Sequence, residues 1–374
     1  MPKLEDQTRQ HKSSGTRVLN EQELSLLAEQ ERSSGRNGII LVVLGISVVA
    51  LALVSFCLGR FSVSIGDVVS SLGALFSRLA SGQSLTFESA VQTVVVNVRL
   101  PRVIAAILVG AALAVAGASY QGVFRNPMVS SDILGASAGA GFGASIAILL
   151  GAPGAVVQIA AFACGLLAVF VTYAIGNAVG RNDSSTLALV LAGIVVQALF
   201  QAFVGIIKYI ADPYSQLPEI TYWLMGSLAT VSFDDIAFML APLVIGCVVL
   251  IALRWRINLL SFGDEEATAL GVNTKRLRLV IIICATLVTS AAVSTAGQVG
   301  WIGLVIPHLS RMIVGPNYKH LLPASLLMGS GFLLLVDDVA RNIMQAEIPL
   351  GILTAIIGAP VFVFLLLKSR KGWS

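Results

Sequence analysis

Apolar residues in this chain come in unbroken runs of about span length, not in the alternating pattern of a half-buried strand; Ile39–Leu58 and Ile352–Leu367 are two examples. A helix of roughly 20 apolar residues crosses a hydrocarbon core, and in lipid only helices or closed barrels satisfy the backbone. Barrel strands would alternate in short segments, and these runs do not. The runs predict helices near 39–58, 101–122, 133–150, 155–178, 186–208, 235–253, 277–297, 300–314, 320–340 and 349–368, the eighth being short and Gly-rich. The expected fold class is therefore all-α, a polytopic membrane protein of about ten transmembrane helices. Residues 39–370 form the membrane domain and 1–38 a polar tail, in which Glu21–Glu31 can form a short amphipathic helix. An even number of crossings puts both termini on one side.

Interruptions in the runs carry further signals. Val63–Leu79 suits a helix lying on the membrane surface. Tyr209–Tyr222, with two prolines, suits a short surface or re-entrant helix. Glycines at four-residue spacing (Gly135, Gly139, Gly143), and the Gly/Ala-rich stretch from Gly110 to Gly117, predict close helix packing. Pro242, Pro307 and Pro360 fall within or near spans and predict kinks.

The longest charged interruption after the spans begin is 254–278, RWRINLLSFGDEEATALGVNTKRLR. Asp264 can cap a short helix with Glu265 and Glu266 in its first turn, and Gly271 can close it. Asn273 or Thr274 then caps the next span. The residues alone leave two readings open: an amphipathic surface turn, or a contact for a partner.

Composition narrows the function. The chain is 56% hydrophobic and 12% charged, whereas soluble domains are nearer a quarter charged. The formal charge of +4 gathers at span ends, which excludes a nucleic-acid surface. With the N-terminus inside, only Arg60, Arg78, Arg99, Arg102, Lys208 and Arg341 of the 24 basic residues lie outside, a positive-inside pattern that places the charged island and both termini in the cytosol. The four cysteines (Cys57, Cys164, Cys247, Cys284) stand singly in apolar runs, and with three histidines they predict no metal site and no cofactor. No G-x-x-x-x-G-K-[ST] loop occurs and no nucleophile–base constellation is present, so the chain is not expected to be an enzyme. Span centres lack Asp, Glu, Lys and Arg, which argues against a proton-driven carrier and for a driver in trans.

Arg99-Leu100-Pro101-Arg102 would open the second span, with Pro101 suited to the first helical position. Cations there oppose the helix dipole by ~0.3–1 kcal/mol each. They suggest an anionic partner outside, or else snorkelling to lipid headgroups. Asp337 and Asp338 stand four and three residues before Arg341, the spacing of local ion pairs.

Four stretches together resemble a known family: VRLPRVIAAILVGAALAVAGASYQGVFRNP (98–127), GDEEATALGV (263–272), GWIGLVIPHLSR (300–311) and LLLVDDVARNIMQAEIPLGILTAIIGAPVF (333–362). They resemble the permease subunit of the ABC importers for iron–siderophore, haem and cobalamin, over about residues 39–370. The resemblance implies a homodimer or closely related pair, two ABC ATPase subunits, an extracytoplasmic substrate-binding protein, and a location in the cytoplasmic membrane. It implies that Asp264, Glu265, Glu266, Ala267, Leu270 and Gly271 form the helix that couples to the ATPase. It implies that Arg99, Arg102 and Arg341 dock acidic residues of the binding protein in exposed pairs. Gly303, Pro307 and His308 match a family signature whose role the residues do not reveal. The expected function is import of a metal chelate, with ferric siderophores preferred because they dominate the family. Cobalamin, haem or a metal oxyanion is the alternative cargo. A stand-alone secondary transporter and an exporter subunit are the readings from other classes.

Overall fold

A computed structural model describes residues 21–82, 89–180 and 185–369. Residues 1–40 and 41–374 form separate units, and everything below concerns the second apart from the start of the first helix. Most of the N-terminal tail's charges, with Arg181, Arg370 and Lys371, lie outside the described residues or their described side chains. No strand occurs among the described residues. The helices are α1 (Glu21–Cys57), α2 (Ile65–Ser81), α3 (Ala90–Thr93), α4 (Leu100–Phe124), α5 (Ala136–Leu149), α6 (Gly154–Val179), α7 (Ser185–Ile210), α8 (Gln216–Met225), α9 (Phe233–Ala252), α10 (Arg254–Leu260), α11 (Asp264–Ala269), α12 (Thr274–Ala296), α13 (Ile302–Val314), α14 (Tyr318–Asn342) and α15 (Leu350–Ser369). A π-helical stretch, Val94–Arg99, joins α3 to α4.

All ten expected spans are helical, and among the described residues eight helical segments are long and apolar enough to cross a membrane. The other two, α5 with 14 residues and α13 with 13, are apolar but short. At ~1.5 Å per residue each rises only about 20 Å against a core of ~30 Å. The expected third span, 133–150, is trimmed because Gly135 turns left-handed (φ 85°) ahead of α5.

The core is built around α4, which is buried along nearly its whole length and packs against α14, α12, α13 and α9. Small residues make this possible. A Cβ at Gly110 would lie 2.2 Å from the Gly329 carbonyl oxygen, and one at Gly139 or Gly143 would strike carbonyls of α6 at 2.4 and 2.2 Å. The small-residue faces thus act as packing seams, as the four-residue spacing predicts. α9, α13 and α15 run on through Pro242, Pro307 and Pro360.

The start of the second span differs from the sequence expectation. Helix does not begin at Arg99; it begins near Ala90 and passes through the π turn into α4. The Leu100 amide bonds the Val95 carbonyl, five residues back, so the wide turn falls just before Pro101, whose ring lacks a donor and crowds the preceding turn. Arg99 and Arg102 therefore sit inside a continuous helix and not at an exposed helix start. Both segments expected between spans are helical: α2 carries a Ser64–Asp67 capping pair (2.8 Å), and α8 follows a turn in which Asp212 accepts from Ser215 (2.7 Å from the amide). α2 buries Val68 and Leu75 on one side and exposes Ile65, Val69 and Phe76 on another, as a helix resting on a membrane surface does.

Candidate functional site

The charged island is held from within. α10 buries Ile257 and Leu260, and Asn258 on the same helix pairs with Asn317 (2.9 Å) and accepts from the Tyr318 amide (2.8 Å), joining the island to the start of α14. α11 ends as the sequence predicts. The Gly271 amide bonds the Thr268 carbonyl (2.9 Å), the Val272 amide bonds the Ala267 carbonyl (3.0 Å), and Gly271 takes φ 82°. This is a Schellman closure, which glycine permits without strain. Asn273 then caps α12 by accepting from the Arg276 amide at 3.0 Å.

The start of α11 departs from expectation. Gly263, with φ 124°, occupies the cap position, and Asp264 makes no capping bond. Its carboxylate is taken instead by Arg278 (2.7 Å) and by Arg125 at the end of α4. Two guanidiniums offer charge-assisted bonds that outweigh one backbone amide. Of the six residues expected to form the coupling helix, Asp264 and the fully buried Ala267 thus face the chain itself. Glu265, Glu266, Leu270 and Gly271 are exposed. Phe262 (68% exposed) and Leu270 (62%) flank the two glutamates, so the outer surface of the island is acidic with an apolar border.

The three arginines expected to dock a partner lie at the other end of α4 and are not exposed charges. Arg102 is buried, donating to Asp337 (2.9 Å) and to Glu347 (2.9 Å). Arg341 pairs with Asp338, lies 3.9 Å from Asp337, and donates to the Ser55 carbonyl at 2.9 Å. The i−4 and i−3 pairs read from spacing are present. Arg99 donates to the carbonyls of Phe56 and Phe61. The pairs are internal because α4, α14, the end of α1 and the segment after α14 converge here. A buried guanidinium unpaired at that junction would cost several kcal/mol (of order 3–5).

Between these ends lies a cavity of about 680 Å³ that the sequence reading does not anticipate. Two non-helical segments line it: 130–132, before α5, and 298–301, before α13, joined by the starts of α13 and α15. Irregular backbone at membrane depth is tolerated where it is buried or faces a wet cavity. Both segments are internally braced. Asp132 accepts from the Ser137 amide at 2.7 Å, and Gln298 donates to the Ser137 carbonyl at 2.9 Å. Trp301 takes a left-handed backbone (φ 71°), rare for a bulky residue, and its ring packs edge-on to Phe362. The signature residue Gly303 sits where three segments meet. The Gly117 position lies against its carbonyl, and a Cβ on Gly303 itself would stand 2.4 Å from Ser131 Oγ. Pro307 is buried in α13 and His308 is half-buried. No cluster of His, Cys, Asp or Glu that could hold a metal is found among the described residues. The sequence did contain a signal for the cavity: α5 and α13 both follow a Gly- or Pro-marked break and are both too short to span.

The FecCD transport family model matches residues 40–368. The molybdate import system permease protein MolB of Haemophilus influenzae is 40% identical over 335 residues, covering 89% of this chain and 96% of that protein. The cobalamin import system permease protein BtuC of Halobacterium salinarum is 42% identical over 278 residues, covering 74% of this chain and 73% of that protein. A solved structure described as an inward-facing conformation of a metal-chelate type ABC transporter superposes with a TM-score of 0.76 at 39% identity, covering 88% of this chain and 99% of that one. The family match over nearly the whole membrane domain and the relatives of 40% identity agree, and the chain belongs to the FecCD transport family.

Proposed function

We propose that this chain is the permease subunit of an ABC importer, working as a pair around a shared pathway with two ATPase subunits inside and a substrate-binding protein outside. The observation that carries the proposal is the island. It presents Glu265, Glu266 and Leu270 outward while Asp264 and Asn258 tie it to α4, α12 and α14, the helices at the centre of the core. A push on the island is thereby transmitted to the packing around the cavity. ATP binding would move it, open the cavity to one side, and hydrolysis would reset it. The positive-inside pattern supports a cytosolic island and cytosolic termini.

The arginine network changes what docking can mean. Arg102 and Arg341 are paired with acids of the chain and Arg99 is buried against the Phe56 and Phe61 carbonyls, so the binding protein would meet a surface shaped by these residues and not their bare charges. Matched arginines also tie Asp337 and Asp338 to structure, which weakens the reading as a proton-driven carrier working alone.

For cargo, a ferric siderophore is the first reading, resting on the family's substrate range. A metal oxyanion is the second, favoured by the extent of the match to the molybdate permease and by two helix starts, of α5 and α13, at the cavity. The test is accumulation of labelled ferric siderophore, haem, cobalamin and molybdate in a deletion strain and its complemented parent. Loss of siderophore uptake alone supports the first reading, and loss of molybdate uptake alone replaces it with the second. Loss of none contradicts the import proposal. Flux through the purified chain alone in liposomes would move it to the stand-alone class.

A further inference from the structure

Beside the coupling helix, and sharing Gly271 with it, the island includes a groove. It measures about 490 Å³ and lies between the end of α9, α10 and the start of α12. Its lining changes character along its length. Arg256 and Arg276, both exposed, stand at the polar part, with Trp255 beside them at 65% exposure. Leu253, immediately after α9, and Leu277 and Val280, near the start of α12, line the rest. Among the described residues neither Arg256 nor Arg276 forms an ion pair, whereas neighbouring Arg278 is taken by Asp264.

We propose that this groove binds an anionic phospholipid, its phosphate held by Arg256 and Arg276 and an acyl chain running past Val280. Charge complementarity selects the headgroup, because two unpaired guanidiniums share one groove and Arg binds phosphate bidentately. The apolar half selects a lipid over free phosphate and over a soluble protein. A hydrated ion leaves the exposed Val280 uncovered, and a soluble protein does not reach into membrane helices. Beyond the groove the same two packed helices remain lipid-compatible, with Ile245, Val248 and Ile283 each more than half exposed. A tryptophan at the boundary is the residue expected there. Basic pockets between membrane helices on the cytoplasmic side bind anionic headgroups by this chemistry. The inference depends on the membrane spans and not on the direction or cargo of transport.

The test is native mass spectrometry of the full chain titrated with phosphatidylglycerol or phosphatidylcholine. Retention of phosphatidylglycerol is expected to exceed that of phosphatidylcholine by about thirtyfold, from two surface cations. Arg256→Gln with Arg276→Gln is expected to abolish the preference. Lys319→Gln, an exposed cation on the same side, is expected to keep it. Equal retention of both lipids, or a preference that survives the double change, overturns the proposal. Displacement of the lipid by equimolar inorganic phosphate overturns it in favour of a free-anion site. A second measurement needs no arginine variant: brominated phosphatidylglycerol in vesicles is expected to quench the wild-type chain more than brominated phosphatidylcholine, and Trp255→Phe to remove the excess. An excess that persists without Trp255 contradicts the site.

Discussion

α4 joins two charged regions that look alike in the sequence and behave oppositely in the fold. At its start, Arg99 and Arg102 meet Arg341, Asp337, Asp338 and Glu347, and almost all of this charge is buried and spent on the chain itself. At its end, Arg125 meets Asp264, but Glu265 and Glu266 remain exposed and unpaired among the described residues. Burial decides which charges are available to a partner. A buried pair fixes where helices join, while an exposed acid on a short braced helix can engage another protein and transmit force.

The sharpest way to break this contrast is to remove one member of the buried network. Arg102→Ala leaves Asp337, at zero exposure, with only the looser contact to Arg341 and should cost about 3–5 kcal/mol, read as lost expression or a large drop in thermal stability in detergent. Replacing both partners with apolar residues of similar volume, Arg102→Met with Asp337→Leu, should recover much of that loss. If the double variant is as unstable as the single, the network is more than a structural junction.

Glycine substitution comes next. Gly303→Ala puts a methyl carbon 2.4 Å from Ser131 Oγ in a site closed by Gly117, an overpacking expected to cost ~1–3 kcal/mol. Thermal unfolding of the purified variant measures it; stability equal to wild type would mean the three segments are not tightly packed.

Smaller still is Arg125→Gln. Arg125 and Asp264 are both more than a third exposed, so the pair is screened and its loss should change stability by no more than ~0–1 kcal/mol. Coupling should suffer more than stability, because the bridge links the island to α4. A variant with lowered stability and intact coupling would reverse that ranking.

The smallest effect concerns pH. Hydrogen bonds from Ser64 hold the exposed Asp67 carboxyl below its ordinary value. A depressed carboxyl contributes stability above its unfolded pKa and loses it as pH falls through the folded one. The order of α2, followed by amide exchange, should therefore loosen slightly on acidification, and Asp67→Asn should flatten that dependence. An unchanged profile would show that the cap contributes nothing.

How much of this was legible depended on range. The spans were readable because hydrophobic runs are local, and the closure at Gly271 and cap at Asn273 because each involves neighbours within a few residues. The small-residue seams were readable from spacing alone. The pairing of Arg341 with Asp337 and Asp338 was visible as helical register. Arg102 finds Asp337 and Glu347 more than two hundred residues away, and nothing local in the sequence announces that encounter, so buried charges read as exposed ones. Asp264 was misjudged for the same reason: its cap role was plausible until Arg125 arrived from α4. The cavity escaped because segments 130–132 and 298–301 look like ordinary loops until their flanking helices prove too short to cross.

The central claim is that the exposed acids of the island, and not the buried arginines, are where the driving subunit acts. Its most direct test is substrate uptake and ATP hydrolysis in the same proteoliposomes, comparing the wild-type transporter with Glu265→Arg/Glu266→Arg. The expected result is a folded variant that still supports ATP hydrolysis by its partner but accumulates no substrate. Wild-type uptake per ATP hydrolysed would contradict the account.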